Sequence, residues 1–208
     1  MSGCGCDVEI KDASQKKVLV VLLAINACMF VVELGFGWVA ESTALIADSL
    51  DMLADAVIYG IGLYAVGRSL QHKANAALMS GYFQGVLGCL IVVDILRRIW
   101  FGSEPVSEFM MGVGVAALVA NVICLLLILK HRNGDVNMRA SWICSRNDVI
   151  ANVGVITAGG LVGWFDSSWP DIVIGAVVAL VILHGVRSII YEAHKELTEN
   201  KTGYCIND

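Results

Sequence analysis

The sequence predicts an all-α membrane protein, a bundle of six transmembrane helices with both termini cytoplasmic. Three observations carry that expectation: the composition, the length of the apolar runs and the sidedness of Lys and Arg. Of 208 residues, 57% belong to the hydrophobic set and only 16% are charged, against about 25% charged in globular domains. A mean hydropathy of +0.73 leaves too little polar surface for a water-facing shell. A soluble enzyme, a nucleic-acid module and a disordered tail are therefore excluded, and the solvent must be membrane lipid. The two prolines agree with long helices.

Apolar runs of about 20 residues, the length a helical span requires, place spans at 18–40, 43–67, 75–96, 109–129, 140–164 and 171–191. The first is too long for a cleavable signal core and reads as a retained span. Residues 1–17 form a polar N-terminal tail, 18–191 one transport domain, and 192–208 a tail too short to fold alone. Lys11, Lys16, Lys17, Arg68, Lys73, Lys130, Arg132, Arg139, Lys195 and Lys201 fall on one side, with Arg97 and Arg98 opposite. The positive-inside bias makes the richer side cytoplasmic. Glu41, Glu104, Glu108, Asp166 and Asp171 face the other side. A net charge of −5 argues against a polybasic surface for nucleic acid or anionic lipid. Seven cysteines, an odd number set mostly in or beside apolar runs, argue against a secreted disulfide framework. Gly81, Gly85 and Gly88 in the third span have a small-residue spacing that lets another helix approach closely.

The informative residues are the charges inside the spans, because a charge at mid-bilayer costs about 3 kcal/mol on insertion scales. The second span carries Asp48, Asp51 and Asp55 within about a 60° arc of one helix face. The fifth carries Ser141, Cys144, Asp148 and Asn152 within about an 80° arc, with Arg146 nearly opposite. Three carboxylates on one stripe repel one another unless protons or a cation neutralise them. If the stripes face each other, Asp51, Asp55, Cys144 and Asp148 supply four ligands from two helices, a set suited to tetrahedral Zn²⁺. The alternative is structural: the carboxylates pair with Arg146, or hydrogen-bond to Asn26, Asn121 and Asn147. Arg146 itself has Asp94, Glu33 or backbone carbonyls as candidate partners.

At these residues the chain resembles the cation diffusion facilitator family, six-helix proton-coupled exporters of divalent transition metals. The family's second helix carries His or Asp, three residues, then Asp, matched by Asp51 and Asp55 in ADSLDMLAD; its fifth helix repeats the spacing, matched by Cys144 and Asp148 in RASWICSRNDVIANVGV. The resemblance covers all six spans and identifies a short member without the family's cytoplasmic C-terminal domain. It implies a metal/proton antiporter in the plasma membrane, that of a bacterium, with Zn²⁺ or Cd²⁺ as cargo, protons as the coupling ion, no cofactor and no enzymatic activity. It leaves open a homodimer, although the domain that helps to hold one is missing. The family usually has His where Cys144 stands, and the His-rich loop of some members shrinks here to KHRNGDVNM.

Other residues extend this expectation. The thiolate of Cys144 favours Zn²⁺ or Cd²⁺ over harder ions. Asp48 and Asn152 are candidates for a supporting shell or a proton relay. Cys4 and Cys6 in GCGCD form a two-thiol hook able to capture metal at the cytoplasmic mouth. Two rival readings remain: a membrane thiol oxidoreductase working through its cysteines, and a metal sensor or scaffold that does not transport.

Overall fold

The computed structural model describes residues 13–64, 70–129 and 136–204. Six helices follow one another, α1 (Ala13–Val39), α2 (Thr43–Tyr64), α3 (Leu70–Phe101), α4 (Ser107–Leu129), α5 (Val136–Phe165) and α6 (Trp169–Tyr204), with no strand among the described residues. Each expected span has its helix. The helices outrun the apolar runs where the flanks are polar. The largest difference is at α6, which continues to Tyr204, thirteen residues past the expected end of the sixth span. Hydropathy marks where lipid stops, whereas the helix ends where its hydrogen-bond ladder ends.

Five of the six helices are long and apolar enough to cross a membrane, namely α1, α3, α4, α5 and α6. The exception is α2, whose three aspartates exceed what a lipid-facing span tolerates. Its placement resolves the difficulty. α2 packs against α1, α3, α5 and α6 and is largely enclosed by them, so its carboxylates are kept from lipid by protein. The other helices carry a broad apolar exterior, including Val31, Leu90, Leu126 and Leu180. In water such a surface would exceed any ordinary exposed patch; in a bilayer it meets acyl chains. Trp38, Trp100, Phe101, Trp164, Phe165 and Trp169 are exposed together at the end remote from the chain termini, an interfacial aromatic belt.

Close helix contacts depend on glycine. A Cβ on Gly81 or Gly88 would lie 2.8 Å from Ile190 or 2.7 Å from Leu183 of α6, so the stripe foreseen on the third span is an internal α3–α6 seam. Gly159 meets Met110 of α4 in the same way. Three apolar clusters fill the remaining space: Leu50, Ile91 and Ile182 between α2, α3 and α6, Leu45, Met110 and Val155 between α2, α4 and α5, and Leu19, Tyr59 and Cys124 between α1, α2 and α4.

The start of α2 is fixed by a residue of another helix. Ser42 is the N-cap, its Oγ accepting from the Leu45 amide at 3.1 Å. The same hydroxyl donates to Asp171 Oδ1 at 2.6 Å, and Asp171 also accepts from the amides of Thr43 at 2.7 Å and Ala44 at 3.0 Å. Asp171 is fully buried at that end of the bundle. A carboxylate satisfies the orphan amides of a helix N-terminus and complements its dipole. Gly175, one turn along α6, permits this approach, since a Cβ there would come within 2.7 Å of Thr43 Cγ2.

Candidate metal site

Asp48, Asp51 and Asp55 lie on successive turns of α2, and Asp148 and Asn152 on successive turns of α5, where the two helices pack. Asp48, Asp55, Asp148 and Asn152 are buried, and Asp51 is half-buried. The charged groups acting on Asp148 are Asp55, Asp51 and Asp48, all of them carboxylates. Asp148 and Asp55 approach within hydrogen-bonding reach, a contact that a proton or cation must bridge. Of the two stripes read from the sequence, the described residues bring Asp55 of α2 beside Asp148 of α5.

Neutral donors frame these groups. Tyr59, one turn beyond Asp55 and itself 1% exposed, donates from its hydroxyl to Asp55 Oδ2 at 2.9 Å. The same hydroxyl stands 3.5 Å from Ser145 Oγ of α5. Asn152 donates to the Asp148 carbonyl at 2.9 Å and makes a long contact of 3.5 Å with Asp48 Oδ1. Asn26 of α1 donates to its own helix at the Leu22 carbonyl at 2.9 Å, with Cys124 Sγ of α4 at 4.0 Å. Asp48 Oδ2 and Asp148 Oδ2 have no hydrogen-bond partner, nor has either side-chain atom of Asn121.

Several sequence expectations take a different form. Among the described residues no three His, Cys, Asp or Glu side chains form a group able to hold a metal ion. The fourth expected ligand, Cys144, belongs to α5, but its side chain lies outside the described residues, as do Cys4 and Cys6 altogether. The structural alternative for the carboxylates fares differently by residue. Asn121 donates to none of them, and Asn26 is spent on Leu22 and Cys124. Of Arg146's candidate partners, Asp94 is engaged by Arg97 at 2.9 Å and Arg98 at 2.6 Å, and Glu33 lies against Asp48. Arg98 also donates to the Glu41 carbonyl, which ties α3 to the α1–α2 turn.

The residue that sequence reasoning missed is Glu33. It is fully buried on α1, and the charged groups acting on it are Asp48 and Asp51. Its signal was present: it is an acidic residue in the middle of an otherwise apolar span.

The fold is a helical membrane bundle whose second helix encloses carboxylates beside one of the fifth. The chain belongs to the cation efflux transmembrane domain family, whose model matches residues 19–198. The zinc transporter ZitB of Yersinia pseudotuberculosis is 27% identical over 205 residues, which cover 91% of this chain and 64% of that protein. The cadmium, cobalt and zinc/H(+)-K(+) antiporter of Bacillus velezensis is 22% identical over 204 residues, 91% of this chain and 65% of its own. The metal cation efflux system protein CzcD of Cupriavidus metallidurans is 23% identical over 182 residues, 81% and 57% of the two chains. This chain thus spans less than two thirds of the length of these relatives.

Proposed function

We propose that this chain exports a divalent transition-metal cation, Zn²⁺ or Cd²⁺, across the plasma membrane in exchange for protons. Asp51, Asp55, Cys144 and Asp148 are the cargo ligands, and Asp48 and Asn152 support them. The observation that carries this reading is the juxtaposition of Asp55 and Asp148, buried carboxylates on two helices whose charged neighbours within the site are further carboxylates. Ionisable groups enclosed at membrane depth mark ion pathways.

The coupling follows from the chemistry of the ligands. Metal binds to deprotonated carboxylates and thiolate, whereas the empty site relieves its own repulsion by taking up protons. Metal and protons compete for the same oxygens, so a cycle that carries metal one way returns protons the other. In the described arrangement Asp55 is held by Tyr59, and the carboxylates close around the ion only as it enters. α4 and α5 pack extensively on each other while α2 is fixed at its start to α6, so the α4–α5 pair is the natural unit to move against α2. Cys4 and Cys6 deliver metal to the cytoplasmic mouth. If a homodimer forms, each chain still holds its own complete ligand set.

The test is metal flux in proteoliposomes under an imposed pH gradient. Zn²⁺ or Cd²⁺ movement that accelerates with an opposing proton gradient, accompanied by proton counterflow, is the expected result. Metal binding without flux would identify a sensor or scaffold instead. Flux indifferent to the gradient would remove the antiport step.

A further inference from the structure

Asn121 of α4 is 0% exposed, and neither its Nδ2 nor its Oδ1 has a partner among the described residues. Asn26 of α1, 1% exposed, turns its Nδ2 back to the Leu22 carbonyl at 2.9 Å and leaves its Oδ1 without a donor. Both stand near the middle of their helices, and both open onto one seam. Asn26 Nδ2 lies 4.0 Å from Cys124 Sγ, and Cys124 stands three residues after Asn121 on the buried face of α4. Residues three apart on a helix have Cβ atoms about 5–6 Å from each other, so the Asn26 amide reaches α4 within one turn of Asn121. Leu19, Leu22, Tyr59 and Ile128 pack with Cys124, so the ground around the amides is apolar. Buried amide atoms are nearly always hydrogen-bonded, and in lipid-embedded bundles asparagines bond across helices. Three orphaned amide atoms on two neighbouring side chains are therefore a contact that the described arrangement leaves unmade.

We propose that Asn26 and Asn121 pair with each other in the opposite state of the transport cycle, forming a latch across the seam between the fixed and the moving helices. α1 packs extensively on α2, and α4 on α5, so α1 stays with α2 while Asn121 rides on the α4–α5 pair. A shift of α4 along α1 of up to one turn, about 5 Å, brings the two amides side by side. Asn121 Nδ2 then donates to Asn26 Oδ1, and Asn26 Nδ2 donates to Asn121 Oδ1. All the orphaned atoms are satisfied at once. The Leu22 carbonyl that Asn26 releases is an interior group of α1 and keeps its place in the helix ladder. Because the latch forms in one state and not in the other, it biases the exchange between them. It includes none of the cargo ligands, so it sets turnover and leaves metal affinity alone. The inference rests on the reading that this bundle transports metal, and the experiment separates the two.

Zn²⁺ flux of the full chain in proteoliposomes is measured for the parent, Asn26→Leu, Asn121→Leu and the double variant. Leucine removes orphaned atoms from the described state, so the thermal midpoint of each variant in detergent holds or rises. A hydrogen bond between helices in a bilayer shifts an equilibrium by about 3- to 10-fold, and each single variant loses maximal rate by that factor at an unchanged half-saturating Zn²⁺ concentration. The double variant is no slower than the slower single one, because either change alone already breaks the latch. Unchanged maximal rates in the single variants, losses that multiply in the double variant, or a raised half-saturating concentration in place of a lowered rate overturn the latch. A lowered midpoint in Asn121→Leu does so too, since it would show the amide to be engaged in the described state. A parent without flux rejects the transport reading and the latch with it, whereas a transporting parent with unaffected variants rejects the latch alone.

Discussion

Asp171 of α6 accepts a 2.6 Å hydrogen bond from Ser42 of α2, and through it and the Thr43 and Ala44 amides one helix determines where another begins. The contact fixes the end of α2 that leads to Asp48, so the depth of the carboxylates in the bundle depends on it. Removing the carboxylate orphans a buried hydroxyl and two amides, at a cost of about 1–3 kcal/mol. Asp171→Ala therefore lowers the thermal midpoint in detergent by several degrees, whereas Glu108→Ala, exposed in the first turn of α4, leaves it unchanged. An unaltered midpoint in Asp171→Ala would mean that the cap carries no stability.

The same junction predicts a steric effect. Gly175→Ala places a methyl group 3.0 Å from the Thr43 backbone carbon, which cannot swing aside as a side-chain tip can. Gly185 has nothing within 4 Å of its Cβ position on the same helix. Gly175→Ala is expected to cost about 1–3 kcal/mol, and Gly185→Ala to be neutral or slightly stabilising. Equal melting behaviour of the two would contradict the close α2–α6 approach.

Tyr59 orients Asp55 by a 2.9 Å hydrogen bond. Tyr59→Phe keeps the ring in its apolar cluster and deletes only the donor. Loss of a partner that orients a ligand typically weakens metal binding about 10- to 100-fold. The expected result is a rise of that order in the metal concentration giving half-maximal flux, with the maximal rate changed much less. An unchanged concentration dependence would show that Asp55 is positioned without Tyr59.

Cys144 contributes the only sulfur in the proposed ligand set. Cys144→Ser exchanges a soft donor for a hard one, so Cd²⁺ flux falls further than Zn²⁺ flux. Parallel losses for the two metals would remove the thiol from metal selection.

The helices were legible because an apolar run of span length, repeated along so short a chain, finds enough apolar surroundings only in lipid. The sharing of one α2 face by Asp48, Asp51 and Asp55 was legible because spacing on a helix fixes a face. Glu33 was not legible as part of the cluster. Periodicity places a residue on its own helix, whereas the meeting of Glu33 with Asp48 depends on how α1 packs against α2. The capping role of Asp171 was not legible for a related reason: an acidic residue in the first turn of a helix ordinarily serves its own N-terminus in water, and this one serves the neighbouring helix. The end of α6 was missed because its last residues, from His194 onward, are polar yet remain helical.

The central claim is that Asp55 and Asp148 grip one cargo ion between α2 and α5, and Zn²⁺ flux through Asp55→Asn and Asp148→Asn in proteoliposomes tests it most directly. Each substitution preserves side-chain shape, so folded protein with flux reduced to that of empty liposomes is the predicted result. Wild-type flux in either variant would contradict it.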